Sequence, residues 1–385
     1  MPAFYKNCLK PRARWFPARW FRAHWFRAMS VAALIFVGCW ANYGIAQQAA
    51  REGARNGEGA AGPIKIQRIR RNVFMLVGDG ANITLQVEPA AGEESFDSAY
   101  GGDKGVMLVD SGVAGLSQQL LATTRRFSDG PIRYLINTSA DLDHVGGNEA
   151  IGKAAGALSR GANGGGRNGP PLMIMSHENV LQRLSAPSGQ KSPFPIEAWP
   201  TDVFTTDREA FLNGGSTKII HIPGAHGDGD SIVFLRKSDV IAAGEIFSTT
   251  GFPVIQTAQG GHIQGVLDGL NRILELAIPG EFEQGGTMIV PAHGRLSDEA
   301  DVEYYREMVQ IIHDRILDGV KNGMTLDQVQ AAKPALEYAG RYSQPEWTTE
   351  MFVEAVYRDL SPSAKSSAKA ESQHADGAHP KPQGK

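Results

Sequence analysis

The run from Tyr134 to Asn148 constrains this chain more than any other segment. An apolar strand-like triplet, Tyr134-Leu135-Ile136, leads straight into Asn137-Thr138-Ser139-Ala140-Asp141-Leu142-Asp143-His144-Val145-Gly146-Gly147-Asn148. Two carboxylates, an imidazole and two hydroxyls therefore crowd a few residues beyond the end of a buried strand. Asp143 and His144 are consecutive, and on a strand they would point to opposite faces. To act on one ion they need a tight loop, and Gly146-Gly147 is read as the source of its backbone freedom. A loop of this kind needs a rigid sheet behind it, which holds side chains from distant parts of the chain at one rim.

The rest of the body supplies such a sheet. Val73–Val77 and Ile83–Val87 read as a hairpin joined by Gly78-Asp79-Gly80, and Val106–Val109 as a strand ending in Asp110-Ser111-Gly112. Leu116–Phe127 reads as a helix, and Leu172–Met175 as the next strand. Lys218–Ile222, Ser231–Leu235 and Asp239–Ala243 follow as three strands in quick succession. Val266–Leu276 has helical spacing, Thr287–Val290 is a last strand, and Val302, Tyr305, Met308, Ile312 and Ile316 mark an amphipathic helix. Strands alternating with helices predict an α/β fold in one domain. The segments 89–104, 159–171 and 248–262 read as loops, and the Gly- and Asn-rich 159–171 as a flexible surface insertion.

The two ends differ from this body. Residues 1–29 carry seven Lys or Arg and no acid, and residues 30–46 carry no charge. Taking those seven charges from the formal −3 leaves the remainder at −10, which argues against a nucleic-acid partner. A basic stretch, an apolar core at Val31–Cys39 and a small residue at Ala46 follow the order of an export signal cleaved near Ala46. The reading is an exported protein, periplasmic or extracellular, with an uncleaved N-terminal membrane anchor as the alternative. Residues 47–65 read as a linker, 66–360 as the domain with C-terminal helices, and 361–385 as a disordered tail. The tail carries His374 and His379, read as solvated. Both cysteines, Cys8 and Cys39, fall in the leader, so any metal in the body must be held by His and carboxylates.

Five separated motifs carry a resemblance: Asp110-Ser111-Gly112, the Ser139–His144 loop, His226 in Pro223-Gly224-Ala225-His226-Gly227-Asp228-Gly229-Asp230, Gly244-Glu245, and Pro291-Ala292-His293-Gly294. In order and spacing they resemble the metallo-β-lactamase superfamily over residues 66–315. The likeness is to its glyoxalase II-like and quinoprotein-associated members. The family pattern at the second motif is His-x-His-x-Asp-His before a Gly-Gly-Asn turn, and here Ser139 and Asp141 stand where two histidines are expected. The resemblance implies a four-layer αβ/βα sandwich. It also implies that Asp143, His144 and His293 form one metal site, and that Ser139, Asp141 and His226 occupy the other. Glu245 stands where a bridging carboxylate normally lies, and Asp110 is expected to orient a ligating His. The first set suits zinc, with iron or manganese as alternatives. The other is weak or absent, because Ser139 is a feeble ligand and Asp141 is harder than imidazole.

The functional expectation is a metal-dependent hydrolase. In this reading a metal-bound hydroxide attacks a small-molecule ester, thioester or lactam, with Asp143 orienting the water or taking its proton. Two alternatives stand beside it: a binding protein that kept the fold and lost the chemistry, and an iron-dependent oxidoreductase. His177 is read as a polar loop residue, His221 as orienting neighbours or packing in the core, His262 as a candidate for the substrate cleft, and His313 as surface or packing. Substrate identity and oligomeric state have no signature in the sequence.

Overall fold

The computed structural model describes residues 62–88, 105–160, 171–186, 190–282 and 285–361. The segment read as an export leader, most of that read as a linker, the bulk of the loops read at 89–104 and 159–171, and the tail beyond residue 361 lie outside the described residues.

Seven strands form one sheet in chain order: β1 (Lys65–Arg70), β2 (Val73–Val77), β3 (Ile83–Gln86), β4 (Val106–Val109), β5 (Ile132–Ile136), β6 (Met173–His177) and β7 (Asp202–Phe204). Pairing is antiparallel from β1 to β4 and parallel from β4 to β7. Five more form a second sheet in the order β12-β11-β10-β9-β8. These are β8 (Arg208–Leu212), β9 (Gly215–His221), β10 (Ser231–Leu235), β11 (Val240–Ala242) and β12 (Met288–Val290). Only β11 and β12 pair in parallel in this sheet.

The two-residue repeat of a strand explains how the layers assemble. Val73, Met75, Met107, Val109, Tyr134 and Ile136 turn to one side of the first sheet. There they share a core with Ile219, Val233, Leu235, Val240, Ala242 and Val290 of the second. Phe74, Leu76, Leu108 and Leu135 turn the other way and pack with Leu120 of α1 (Ser117–Arg125) and Ile151 of a later helix. Ile220, Ile232, Ile241 and Ile289 of the second sheet likewise face outward, onto α5 (Ile263–Leu276), α6 (Glu299–Lys321) and α9 (Thr349–Leu360). The result is helix, sheet, sheet, helix. Strands buried on both faces read as unbroken apolar runs, which is why Val106–Val109 and Ser231–Leu235 were legible.

Between these elements lie α2 (Leu142–Val145), α3 (Asn148–Arg160), α4 (Glu178–Leu184), α7 (Leu326–Ala331) and α8 (Leu336–Tyr342). α2 corrects one sequence reading. Asp143 and His144 share a single helical turn, and neither Gly146 nor Gly147 adopts a positive φ. Those two glycines serve close approach instead. A Cβ at Gly146 would lie 2.5 Å from the Leu142 carbonyl and 2.6 Å from the Ala114 nitrogen, and one at Gly147 would lie 2.4 Å from the Ser111 carbonyl. The loop is thereby pressed onto the end of β4.

α5 is pressed just as tightly onto the His226 loop. A Cβ at Gly265 would meet the Gly224 carbonyl at 2.0 Å, backbone against backbone. Gly265→Ala is therefore expected to destabilise the fold by about 1–3 kcal/mol through overpacking. Chemical denaturation checks this, and an unchanged midpoint would contradict the packing described.

Candidate metal centre

The loops after β4, β5, β9, β11 and β12 gather at one rim of the two sheets. His144 sits on α2 and is fully buried. Its Nδ1 lies 2.8 Å from Asp110 Oδ2, and a carboxylate can only accept, so Nδ1 carries the proton. Asp110 is itself fixed. Its Oδ1 accepts from the Thr138 amide at 2.8 Å and its Oδ2 from the Thr138 hydroxyl at 2.7 Å. That bonding fixes the orientation of the His144 ring, with Nε2 aimed outward at Glu245 Oε1, 2.7 Å away.

Glu245 arrives from the other sheet. It follows β11 on a short 3₁₀ turn, Gly244–Ile246, where Gly244 takes φ +53°. A side chain there would also strike Thr138 at 2.8 Å, so this corner admits only glycine. His293 comes from the loop after β12, its Nε2 3.3 Å from Glu245 Oε1 and 3.4 Å from Asp143 Oδ2. Asn82 pins that loop by donating to the carbonyls of Pro291 and Gly294 at 3.0 and 3.1 Å.

Asp143, His144, Glu245 and His293 thus converge, with one donor atom from each lying within 4.8 Å of all the others. Two imidazole nitrogens and two carboxylates are a donor set that suits a first-row divalent cation. The cluster is closed on one side and open on the other: His144 is 0% and Glu245 10% exposed, against 28% for Asp143 and 34% for His293.

Electrostatics matches the geometry. Burial pulls the His144 imidazole down, but the Asp110 and Glu245 carboxylates outweigh it and hold it well above its ordinary value. His293 is raised in the same way, against burial, by Glu245 and Asp143. Burial pushes Glu245 up, yet its bonds to His144 and His293 hold it well below the usual carboxylate range. Asp143 is raised by burial and by the Glu245 charge, with His144 opposing. Imidazoles that bond to carboxylates through Nε2 must be protonated there, and a cation would take the place of those protons.

The other expected ligands go to a separate pairing. His226 Nε2 lies 2.5 Å from Asp141 Oδ2, and its Nδ1 donates to the Val254 carbonyl at 2.8 Å. Gln256 Nε2 donates to the second Asp141 oxygen at 3.1 Å. Ser139 Oγ accepts from the Asp141 amide at 3.1 Å and so braces its own loop. Burial lowers His226, but the Asp141 carboxylate overrides it and raises the imidazole to about 10. Asp141 is pushed up by burial but lowered overall by His226. Asp230, wholly buried in the same recess, is pushed up to about 7 by burial.

Sequence reasoning gave no role to Gln256, Asn82 or Thr138. Gln256 lies in the 248–262 loop, which carries no motif. Asn148 stood in the resembling turn without a role. Its side chain pairs with Asn137 and accepts from Ser111 Oγ at 2.8 Å, locking the α2 loop to the ends of β4 and β5. Of the remaining histidines, His177 and His221 stack with ring centroids 3.7 Å apart, and His262 caps α5 by accepting from the Gly265 amide at 2.8 Å. His313 lies on α6, 2.8 Å from its neighbour Asp314.

Asp110→Asn tests the orientation of His144. Asn tolerates the left-handed backbone at this position, where φ is +64°, so folding is spared. Cation affinity is expected to fall about 10–100-fold. Competition against a chelating dye measures it, and unchanged affinity would remove Asp110 from the account.

A family model described as metallo-beta-lactamase superfamily matches residues 97–293. A linear primary-alkylsulfatase from Pseudomonas sp. is 23% identical over 256 residues, 59% of this chain and 47% of that protein. The chain therefore spans about half the length of the curated relative it matches. Among solved structures, a double mutant of the sec-alkyl sulfatase PisA1 gives a TM-score of 0.52 at 14% identity, covering 77% of this chain and 50% of the other. A metallo-beta-lactamase from Pontibacter korlensis gives 0.45 at 15% identity, covering 64% and 99%. At these identities the PisA1 likeness speaks for the fold alone.

Proposed function

This chain belongs to the metallo-β-lactamase superfamily, and on that premise we propose that it is an exported, metal-dependent hydrolase of small-molecule esters, thioesters or lactams. The observation that carries the reading is the convergence of Asp143, His144, Glu245 and His293 from three separate loops. Retaining four donors in register at one rim has no structural purpose that apolar packing would not serve better, since buried charges cost stability unless paired. These four residues would hold the cation, with zinc the first candidate and iron or manganese next.

When bound, the cation supplies Lewis acidity, favouring ionisation of a water nucleophile and offsetting charge that develops on the substrate oxygen. The chain's own groups do the rest. Asp110 and Thr138 fix the His144 ring, so that Nε2 has one direction to face. Asp143 lies on the open side, where its free oxygen can orient water and accept a proton. His293 forms the exposed edge over which substrate enters.

The alkylsulfatase relative makes sulfate esters the substrates to assay beside carboxylic esters, thioesters and lactams. The full chain, purified and loaded in turn with zinc, iron or manganese, is expected to hydrolyse at least one of these classes. The activity should disappear with a chelator and return with the cation. A protein that loads a cation and turns over none of them would overturn the hydrolase reading. The signal-like order of residues 1–46 supports export, and fractionation of cells expressing the full chain tests it.

A further inference from the structure

The family pattern has room for two ions, and half of it is rewritten here. Resting on the reading above, we propose that this chain holds a single cation. In place of a second ion, Asp141, His226 and Gln256 form a metal-free clamp joining the loops after β5 and β9 to the segment 253–256.

Four observations carry this. The first is donor count. Among the described residues only Asp143, His144, Glu245 and His293 bring three or more ligand-type groups within mutual reach. Beside Ser139 only the His226 imidazole and the Asp141 carboxylate meet, the recess's other acid, Asp230, accepting from the Gly227 amide at 2.7 Å, and a firmly held ion of this class wants three or four protein donors. The second is commitment. Ser139 Oγ accepts from the Asp141 amide at 3.1 Å, and the Asp141 oxygen not facing His226 accepts from Gln256 Nε2 at 3.1 Å, so neither is a spare donor. The third is the sign of the wall. Gln256 turns its amide hydrogens, not its carbonyl, toward Asp141, and the Arg183 guanidinium lines the same recess while pairing with Asp228. On that wall a cation would meet donor hydrogens rather than ligand atoms.

The fourth is continuity of the clamp itself. His226 Nδ1 donates to the Val254 carbonyl at 2.8 Å, and the His226 carbonyl accepts from the Gln256 amide at 2.8 Å. The three segments that a second ion would draw together are thus already tied by hydrogen bonds and one ion pair.

The test is the number of ions bound by the full chain. Metal-free protein is titrated with zinc alone and with manganese alone, followed by calorimetry and by elemental analysis after gel filtration. Wild type is expected to saturate at one ion. Asp141→Asn should also bind one, because Asp141 is not in the ligand set. Ser139→His combined with Asp141→His restores the two missing imidazoles and should bind two. Two firmly held ions in wild type would overturn the single-cation proposal and leave the hydrolase reading standing. No ion in wild type would sink the hydrolase reading as well. Loss of the ion in Asp141→Asn, or a double variant that folds and still binds one, would overturn the assignment of the difference to residues 139 and 141.

Discussion

His144→Ala is expected to lose the bound cation, to reduce hydrolysis on the order of 10³-fold, and to lower folding stability by about 3–5 kcal/mol. The loss of stability follows from what the imidazole leaves behind. Its two ring nitrogens face Asp110 Oδ2 at 2.8 Å and Glu245 Oε1 at 2.7 Å, at the junction of the two sheets. With the ring gone, two carboxylates remain in a site that is almost closed to water, Asp110 with only its Thr138 hydrogen bonds and Glu245 with only the longer contact to His293. The loss of activity follows from the donor count, since the variant keeps one imidazole and two carboxylates. Denaturation curves, metal content and turnover read the three effects separately. A variant that melts with wild type and retains its ion would contradict the role assigned to His144.

The second large effect is pH dependence, and it has opposite signs with and without the cation. In metal-free protein Glu245 is held well below its ordinary 4.5, by His144 and His293 against its own burial. Its contribution is fully present above about 4.5 and is lost as pH falls through the depressed value. His144 and His293 are held above their ordinary 6.5, by Asp110 and Glu245 respectively, again against burial. Their contribution is fully present below about 6.5 and is lost as pH rises through the raised values. Asp143 works against stability, because its raised value makes ionisation in the folded state costly. The cluster therefore favours the metal-free fold most between about pH 4.5 and 6.5.

Loading runs the other way. A cation must displace protons from His144 and His293, so affinity should rise with pH by about tenfold per unit for each proton displaced. Calorimetry in buffers of different ionisation enthalpy counts those protons. Affinity that stays flat between about pH 6 and pH 8 would show that the imidazoles are not the ligands.

The parts of the fold legible in the sequence were those with a strong local signal. Val106–Val109, Ser231–Leu235 and the helix carrying Tyr305 and Ile312 are buried on one or two faces, and their apolar spacing marks them. Less visible were β1, β7 and β8, where Lys65–Arg70, Asp202–Phe204 and Arg208–Leu212 are short or largely polar and exposed, as strands at or near a sheet edge are. At the site, Asp143, His144 and His293 were legible through the ordered set of family motifs, since an isolated Asp-His or Pro-Ala-His alone reads as a turn or cap. Glu245 needed the family resemblance, since a glutamate after a strand says little alone. Gln256 could not be found by spacing at all. Its role depends on a loop more than 110 residues beyond Asp141 folding back to meet it. The glycines of the α2 loop were noticed, but their purpose was misread, because close backbone approach leaves the same mark in a sequence as a left-handed turn.

Diffraction at the zinc absorption edge from crystals of zinc-loaded protein tests the central claim most directly. One anomalous peak per chain is expected, within bonding reach of His144 Nε2, His293 Nε2 and the Asp143 and Glu245 carboxylates. A peak elsewhere, or none at that rim in fully loaded protein, would contradict the account.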